Sequence, residues 1–148
     1  GLMKVKSIGY DINKSMIDGC KENLKHFKIK NSRVKIQNAL QIKDKFDYVV
    51  TDLPYGLNSN VIVKNENNSL KENRINKKIE TKNFIRNLES FYLKFLKQLR
   101  KKLKNKAVIV FPDFVNYRKL LKTSKFKIEK EFEQYVHRSL RREIVKVS

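Results

Sequence analysis

The order in which strand-like and helix-like segments follow one another constrains the fold of this chain more than any other feature. Short apolar runs suited to buried strands alternate with segments whose apolar residues recur every three or four positions, as on one face of a helix. Strands are predicted over residues 5–10, 34–39, 47–51, 107–111, 126–135 and 143–147, and helices over 13–27, 84–103 and 117–122. This alternation predicts an α/β fold with a mostly parallel sheet, connecting helices and a C-terminal antiparallel pair.

Two of the predicted helices have a recognisable apolar face. Asn13 is placed to cap the N-terminus of the first helix. The predicted buried face of that helix consists of Ile17, Cys20, Leu24 and Phe27. The second helix carries one apolar stripe, formed by Leu88, Phe91, Phe95, Leu99 and Leu103. Residues 58–83, which precede this helix, are rich in Asn and Lys and predict a long mobile loop.

An apolar strand-like run ends in the most informative local motif of the chain, Asp52-Leu53-Pro54-Tyr55-Gly56. Pro54 fixes its own φ angle and biases Leu53 away from helix, while Gly56 lets the chain turn away. A carboxylate and an aromatic ring are therefore predicted to lie together at the carboxyl end of a strand, where open α/β sheets bind their ligands. This pairing suits a flat nucleobase, although an ordinary Pro-Tyr-Gly turn explains the same residues.

The charge of the chain narrows the choice of partner. With 35 Lys and Arg residues against 15 Asp and Glu residues, the formal net charge is +20, so RNA or DNA is the expected partner. A membrane is not expected, because no stretch approaches the roughly 18 to 20 apolar residues of a spanning helix. A single cysteine excludes an internal disulfide, no secretory leader is apparent, and the expected compartment is the cytoplasm. Genome composition or thermal adaptation accounts for part of the lysine excess.

Three segments, in the correct order, resemble one enzyme family. Residues 52–56 resemble motif IV, (Asp/Asn)-Pro-Pro-(Tyr/Phe), of the S-adenosylmethionine-dependent methyltransferases that modify exocyclic amines of nucleobases, with Leu53 in place of a proline. Residues 7–12 and the helix after them resemble the second strand and helix of the THUMP-associated archaeal tRNA guanosine N2-methyltransferases, and residues 136–142 resemble the ending of that family. The resemblance implies a Rossmann-like class I methyltransferase fold and tRNA as the partner.

The resemblance also implies a base-binding site at the end of the motif-carrying strand. Asp52 and the backbone carbonyl of Leu53 or Pro54 would accept hydrogen bonds from the guanine exocyclic amine, while Tyr55 would stack on the base. The implied catalytic residues are thus Asp52, Pro54 and Tyr55. The residues implied to contact RNA are Leu53, Gly56, His137, Arg138, Arg141 and Arg142. His137 equally suits a structural role in the C-terminal hairpin, and no metal site is implied.

S-adenosylmethionine is the implied cofactor. Asp11 ends a strand where a carboxylate can accept hydrogen bonds from both hydroxyls of a ribose, and a carboxylate that caps a turn is the alternative. In the family an Asp after the third strand often meets the adenine amino group. Here Asn38 can accept through its amide oxygen but adds no charge. The implied cofactor-binding residues are Asp11, Ile12, Asn38, Ala39 and Asp52.

The glycine-rich loop that follows the first strand in this family has no counterpart in the sequence. The four glycines occur singly, none in a Gly-x-Gly arrangement, and residues 1–3 resemble the tail of the helix that follows this loop. Residues 1–148 are therefore expected to be a partial methyltransferase domain without a THUMP domain. A second polypeptide or an N-terminal segment would carry the first strand, the loop and an RNA-capture domain. A non-catalytic RNA-binding module with a degenerate fold and a DNA adenine amino-methyltransferase remain as alternatives.

Overall fold

The structure is a computed structural model that describes residues 5–55, 74–138 and 140–148. It divides into two units, Gly1–Asp44 and Lys45–Ser148. The first unit contains strand β1 (Ser7–Asp11), helix α1 (Lys14–His26), strand β2 (Ser32–Ile36) and a 3-10 turn (Ala39–Gln41). β1 and β2 pair in parallel, from Ser7 opposite Ser32 to Asp11 opposite Ile36, so the predicted strand-helix-strand unit is confirmed.

Helix α1 begins as its sequence predicts. The Asn13 side chain accepts a hydrogen bond from the Ser15 backbone N–H, which satisfies one of the unpaired donors of the first turn. Ile17 is buried, whereas Phe27 is 59% exposed and does not belong to the buried face that was predicted. The reason is that Phe27 is the C-cap residue, where the helical spacing ends, and its ring lies edge-on to His26.

The second unit contains a four-stranded sheet with the order β3-β4-β6-β5. Its elements are β3 (Phe46–Asp52), α2 (Arg74–Lys102), β4 (Leu103–Pro112), α3 (Tyr117–Thr123), β5 (Ile128–His137) and β6 (Leu140–Val147). β3 and β4 are parallel, while β6 is antiparallel to both of its neighbours. The predicted combination of parallel strands, connecting helices and a C-terminal antiparallel pair is therefore confirmed.

Aromatic side chains connect the helices of the second unit to the sheet. Phe111 of β4 stacks on Tyr117 of α3, with ring centroids 5.5 Å apart, and its ring lies edge-on to Tyr92 of α2 at 6.2 Å. Tyr92 and Leu96 are fully buried on α2, whereas Phe91, which the predicted stripe included, is only partly buried. The buried row therefore consists of residues four positions apart, Leu88, Tyr92 and Leu96. The predicted stripe left Tyr92 out because its side chain carries a polar hydroxyl, although its ring packs as an apolar group.

Several predicted boundaries differ from the structure, among them the start of α2 and the connection between the last two strands. Helix α2 begins at Arg74, so residues 74–83 of the predicted loop are helical, and residues 58–73 lie outside the described part of the chain. The segment 74–83 has several Lys, Ile and Glu residues with good to moderate helix propensity and no Gly or Pro, and its two Asn residues cost little. The C-terminal strands also extend to His137 and Leu140, so most of the predicted connection, residues 136–142, is strand.

Candidate functional site at the end of strand β3

The carboxyl end of β3 is held in place by its parallel neighbour. Asp52 lies opposite Val110 of β4, and the Leu53 backbone N–H donates to the Val110 carbonyl at 3.1 Å. Leu53 is itself buried, with 4% of its surface exposed, so the first residue beyond the strand is fixed by a hydrogen bond and by packing. The chain therefore leaves the sheet in a defined direction, with the Asp52 side chain at its edge.

Asp52, Tyr55 and Arg142 form a cluster at this point. The Tyr55 hydroxyl donates to Asp52 Oδ1 at 2.7 Å, and Arg142 Nη1 lies 3.6 Å from Asp52 Oδ2. The Arg142 guanidinium also lies over the Tyr55 ring, 5.5 Å from its centroid, within the range of a cation–π interaction. Burial raises the pKa of Tyr55, and the hydrogen bond to Asp52 raises it further, so the phenol stays protonated and orients the carboxylate.

Tyr92 is a residue of this site that the sequence analysis did not identify. Its side chain is fully buried, and its hydroxyl donates to the Pro54 carbonyl oxygen at 2.5 Å. Burial raises the pKa of Tyr92, with smaller contributions from Tyr55 and Asp52, so this hydroxyl remains a donor at neutral pH. The signal in the sequence was a tyrosine in the buried row of a helix, where a phenol needs a hydrogen-bond partner.

The structure separates the four residues of the C-terminal hairpin that were predicted to contact RNA. Arg142 lies on β6 opposite Pro112 and reaches Asp52, and its Nε is buried without an acceptor among the residues that the structure describes. Arg141, the preceding residue, pairs instead with Glu133 at 3.3 Å. His137 is the last residue of β5, and Arg138 is exposed in the turn that follows. Only Arg142 is thus brought to the Asp52 cluster.

The predicted cofactor residues of the first unit lie beyond the ends of β1 and β2. Asp11 Oδ1 accepts a hydrogen bond from the Asn13 backbone N–H at 2.7 Å, which is the turn-capping contact weighed as the alternative. Asn38 Oδ1 accepts from the Leu40 N–H at 2.9 Å and thereby caps the 3-10 turn that Ala39 begins. The Gln37 N–H donates to the Asp11 carbonyl, which joins the two segments. Ile12 is 56% exposed.

The predictions about Gly56, a metal site and a membrane-spanning helix can be compared only with the described residues. Gly56 lies outside the described residues. Within the described ranges, no three His, Cys, Asp or Glu side chains are grouped closely enough to hold a metal ion. The same part of the chain contains no helix that is both long and apolar enough to cross a membrane.

Two named relatives match nearly the whole chain. It is 29% identical over 147 residues to the tRNA (guanine(10)-N2)-dimethyltransferase of Pyrococcus abyssi and 28% identical over 148 residues to the protein of that name in Methanothermobacter thermautotrophicus. These matches cover 96% and 97% of the chain but only 38% and 37% of the relatives, so the chain spans somewhat over a third of their length. The resemblance found in the sequence is thereby confirmed.

Solved structures agree on the fold. Magnesium protoporphyrin IX methyltransferase from Synechocystis, solved with bound S-adenosylmethionine, matches 95% of the chain and 58% of its own length with a TM-score of 0.63 at 13% identity. TrmN from Thermus thermophilus matches 95% of the chain and 35% of its own length with a TM-score of 0.62 at 12% identity. The class I methyltransferase fold predicted from the sequence is confirmed. Residues 2–145 match the family described as a methyltransferase domain, and the chain belongs to that family.

Proposed function

We propose that this chain is part of an S-adenosylmethionine-dependent enzyme that methylates the exocyclic N2 amine of a guanosine in tRNA. The observation that carries the proposal is the Tyr55 hydroxyl held 2.7 Å from Asp52 at the carboxyl end of a strand. That contact presents a carboxylate and an aromatic ring together, as recognition of an exocyclic amine on a flat base requires. The names of the two tRNA-modifying relatives support the choice of guanosine and of tRNA.

The chemical task of the site is to make a poor nucleophile reactive. The lone pair of the guanine amine is delocalised into the ring, and S-adenosylmethionine supplies the electrophilic methyl group. Asp52 and a backbone carbonyl of Leu53 or Pro54 accept hydrogen bonds from the two N–H groups of the amine. These contacts hold the nitrogen in the geometry that methyl transfer requires. The nitrogen gains a methyl group and loses a proton to water, so a dedicated general base is not needed.

Tyr55 and the hairpin residues bind the RNA in this proposal. Tyr55 stacks on the base, a contact worth about 1 to 3 kcal/mol in single-stranded nucleic-acid binding. His137, Arg138 and Arg141 contact phosphate groups, whereas Arg142 acts both on the RNA and on Asp52, which it approaches to 3.6 Å. Gly56 allows the chain to turn away from the base.

The first unit suits the ribose end of the cofactor. Asp11 is exposed at the end of β1, only one of its oxygens has a donor among the described residues, and the other is available to a ribose hydroxyl. Ile12 and Ala39 are proposed to contact the nucleoside of the cofactor. The side-chain oxygen of Asn38 caps a turn, so its amide N–H groups are proposed to donate hydrogen bonds to the nucleoside. In the second unit, Asp52 is proposed as a further cofactor contact.

We also propose that a further polypeptide segment pairs with β3. Among the strands that the structure describes, β3 is the outermost of its sheet, and Tyr48 and Val50 on it are 70% and 80% exposed. An exposed apolar edge strand is a liability that proteins usually cover. The segment would carry the first strand, the glycine-rich loop and an RNA-capture domain. Slow hydrogen exchange at the Val50 amide, which points away from β4, is expected only when that segment is present, and protection in the chain alone would contradict the proposal.

Methyl transfer from isotope-labelled S-adenosylmethionine to a tRNA transcript tests the function. The preparation contains this chain together with any segment that the activity requires, and the tRNA is digested to nucleosides and analysed by mass spectrometry. We expect labelled N2-methylguanosine or N2-dimethylguanosine. In a parallel reaction on DNA, labelled N6-methyldeoxyadenosine would favour the DNA adenine alternative. Tight tRNA binding without transfer of any label would favour the non-catalytic RNA-binding module.

A further inference from the structure

The two faces of the β5–β6 ladder differ in charge. Directly opposite residues of an antiparallel pair lie on the same face, and successive residues of a strand alternate between faces. Glu131 lies opposite the fully buried Val145, so it is on the face that packs against the core, where it accepts the Tyr117 hydroxyl at 3.0 Å. Glu133 and Glu143, which lie opposite each other two residues further along, are on this same face. The core side of the ladder therefore carries a group of carboxylates.

The other face of the same ladder is aromatic and basic. Its opposite pairs are Lys130 with Lys146, Phe132 with Ile144 and Gln134 with Arg142. Phe132 is 58% exposed, on a strand that is the outermost on its side among the strands that the structure describes. Glu129, at the bulge where the ladder begins, is engaged by Lys106 at 3.0 Å and by Lys146 at 3.3 Å. The Phe132 face, defined by the three opposite pairs, thus combines an exposed aromatic ring with positive charge.

The Phe132 face is continuous with the candidate site. Arg142 belongs to both, because its guanidinium lies 3.6 Å from Asp52 and over the Tyr55 ring. Phe132 is the diagonal neighbour of Arg142 across the ladder, a relation that places the two residues about 7 to 8 Å apart. The Phe132 ring is therefore within reach of a nucleotide beside one that is held at Tyr55.

A protein segment that covers β3 does not account for the exposed ring of Phe132. A helix packed against β3 is about 10 to 12 Å wide with its side chains. β5 is three strand spacings away from β3 in the sheet order, or about 14 Å. A helix centred on β3 would leave Phe132 exposed, and the cationic side chains of Lys130 and Arg142 near the ring suit a polyanion better than an apolar helix face.

We propose that Phe132 is a stacking platform for a second base of the RNA, next to the target guanosine, and that Lys130 contacts a phosphate beside it. Aromatic rings that stack on bases, set among cations that contact the backbone, are how proteins bind single-stranded nucleic acid. The inference rests on the proposed function and deepens it, because it states which face of the hairpin the RNA follows from the site. The carboxylates of the core side disfavour the passage of a polyanion over the opposite face.

Tryptophan fluorescence tests the stacking contact directly, because the chain contains no tryptophan. Phe132→Trp places an indole on the proposed platform, and Phe27→Trp is the matched control. Phe27 is 59% exposed, is followed by Lys28, and lies shortly before the start of β2, at the opposite edge of its sheet from Asp11. The emission of each variant is compared with that of the unaltered preparation, which contains this chain and any segment that activity requires. We expect saturating tRNA to quench the emission of Phe132→Trp and to leave that of Phe27→Trp unchanged.

Three fluorescence results would overturn the inference. Absence of quenching in Phe132→Trp would show that no base stacks there. Equal quenching of Phe132→Trp and Phe27→Trp would show unspecific attraction of RNA to a basic protein. Emission of Phe132→Trp that is already blue-shifted without RNA, and that tRNA does not alter, would show that a protein segment occupies this face.

Substitutions at Phe132 separate stacking from apolar packing. Phe132→Leu keeps an apolar side chain but removes the flat ring, so KM for tRNA should rise roughly tenfold while kcat at saturating tRNA is maintained. Phe132→Tyr supplies a flat ring again and should rescue KM, and Phe27→Leu is the control for the same change at the other exposed phenylalanine. A normal KM in Phe132→Leu would contradict the stacking role.

Salt dependence tests the proposed phosphate contact. Lys130→Gln should reduce the slope of the logarithm of the tRNA binding constant against the logarithm of salt concentration by about one unit. Phe132→Leu should weaken binding without changing that slope, because stacking releases no counterions. An unaltered slope in Lys130→Gln would remove Lys130 from the RNA interface.

The inference and the proposed function fail separately. If the unaltered enzyme forms N2-methylguanosine in tRNA but Phe132→Trp is not quenched and Phe132→Leu keeps a normal KM, the inference fails and the proposed function stands. If tRNA quenches Phe132→Trp but no guanosine is methylated, the proposed function fails and the RNA-binding role of the Phe132 face stands.

Discussion

Replacing Asp52 by alanine is the most direct test of the proposed chemistry. The Asp52 side chain is 48% exposed, and its ion pair with Arg142 spans 3.6 Å, so the pair contributes at most about 1 kcal/mol to folding stability. The loss of stability in Asp52→Ala should therefore be small. Its effect on catalysis should be large, because the carboxylate acts on a nitrogen whose charge changes during methyl transfer.

The size of that effect follows from the role of the group. Removing one preorganised hydrogen-bonding group that acts on developing charge costs about 10² to 10³ in kcat. Asp52→Ala should show a decrease of this size, while the tRNA dissociation constant changes little because the contact is strongest in the transition state. Asp52→Asn keeps one acceptor oxygen for the Tyr55 hydroxyl, so it should retain more activity than the alanine variant.

The assay is single-turnover transfer of labelled methyl to tRNA, with tRNA affinity measured separately by filter binding. Asp47→Ala is the matched control, because Asp47 lies on the same strand and pairs with Lys104 at 3.3 Å, with both side chains more than half exposed. This control should keep normal activity. If Asp52→Ala transfers methyl groups as fast as Asp47→Ala, the assignment of Asp52 to the amine is wrong.

Three further predictions concern charge and pH. Because the chain carries a net charge of +20, the logarithm of the tRNA association constant should fall linearly with the logarithm of salt concentration, and a flat filter-binding titration would contradict phosphate contacts. Arg142→Lys should lower methyl transfer several-fold, because lysine cannot both stack on Tyr55 and reach Asp52, whereas Arg141→Lys should not; equal rates would remove Arg142 from the site. Burial, followed by the hydrogen bond to Glu131, raises the pKa of Tyr117 from 10.0 to about 12, so the associated stability is present below pH 10 and decreases as the pH rises towards 12. Thermal unfolding of Tyr117→Phe should lack this part of the alkaline decrease.

Local sequence signals predicted the order of the elements because those signals act over a few residues. Asn13 caps α1 as expected, and the apolar run before Asp52 forms a strand that ends at the motif. The start of α2 was misplaced because asparagine is frequent in loops, yet it destabilises a helix interior only modestly among good helix formers. Helix propensity summed over the segment gave the better indication of where this helix begins.

Pairing between strands that are distant in the sequence decides which side chains meet in the site, and no local sequence pattern predicts that pairing. Arg141 and Arg142 are adjacent and chemically identical, but successive residues of a strand point to opposite faces of a sheet. Which of them reaches Asp52 depends on the register between β4 and β6, where Pro112 lies opposite Arg142. The sequence did not identify Tyr92 as a site residue for a similar reason, because its hydrogen-bond acceptor, the Pro54 carbonyl, is distant along the chain.

Strand β4 sets the geometry of the candidate site from both of its edges. On one edge Val110 lies opposite Asp52, and on the other Pro112 lies opposite Arg142, so the carboxylate and the guanidinium meet across the end of one strand. A slip of one residue between β4 and β6 would move the Arg142 side chain to the opposite face and leave Asp52 without its ion pair. The same strand fixes the backbone just beyond β3, because the Val110 carbonyl accepts the Leu53 N–H. The orientation of Asp52 and the path of the chain at Leu53 therefore depend on the register of β4, which connects the folding of the second unit to the chemistry proposed for it.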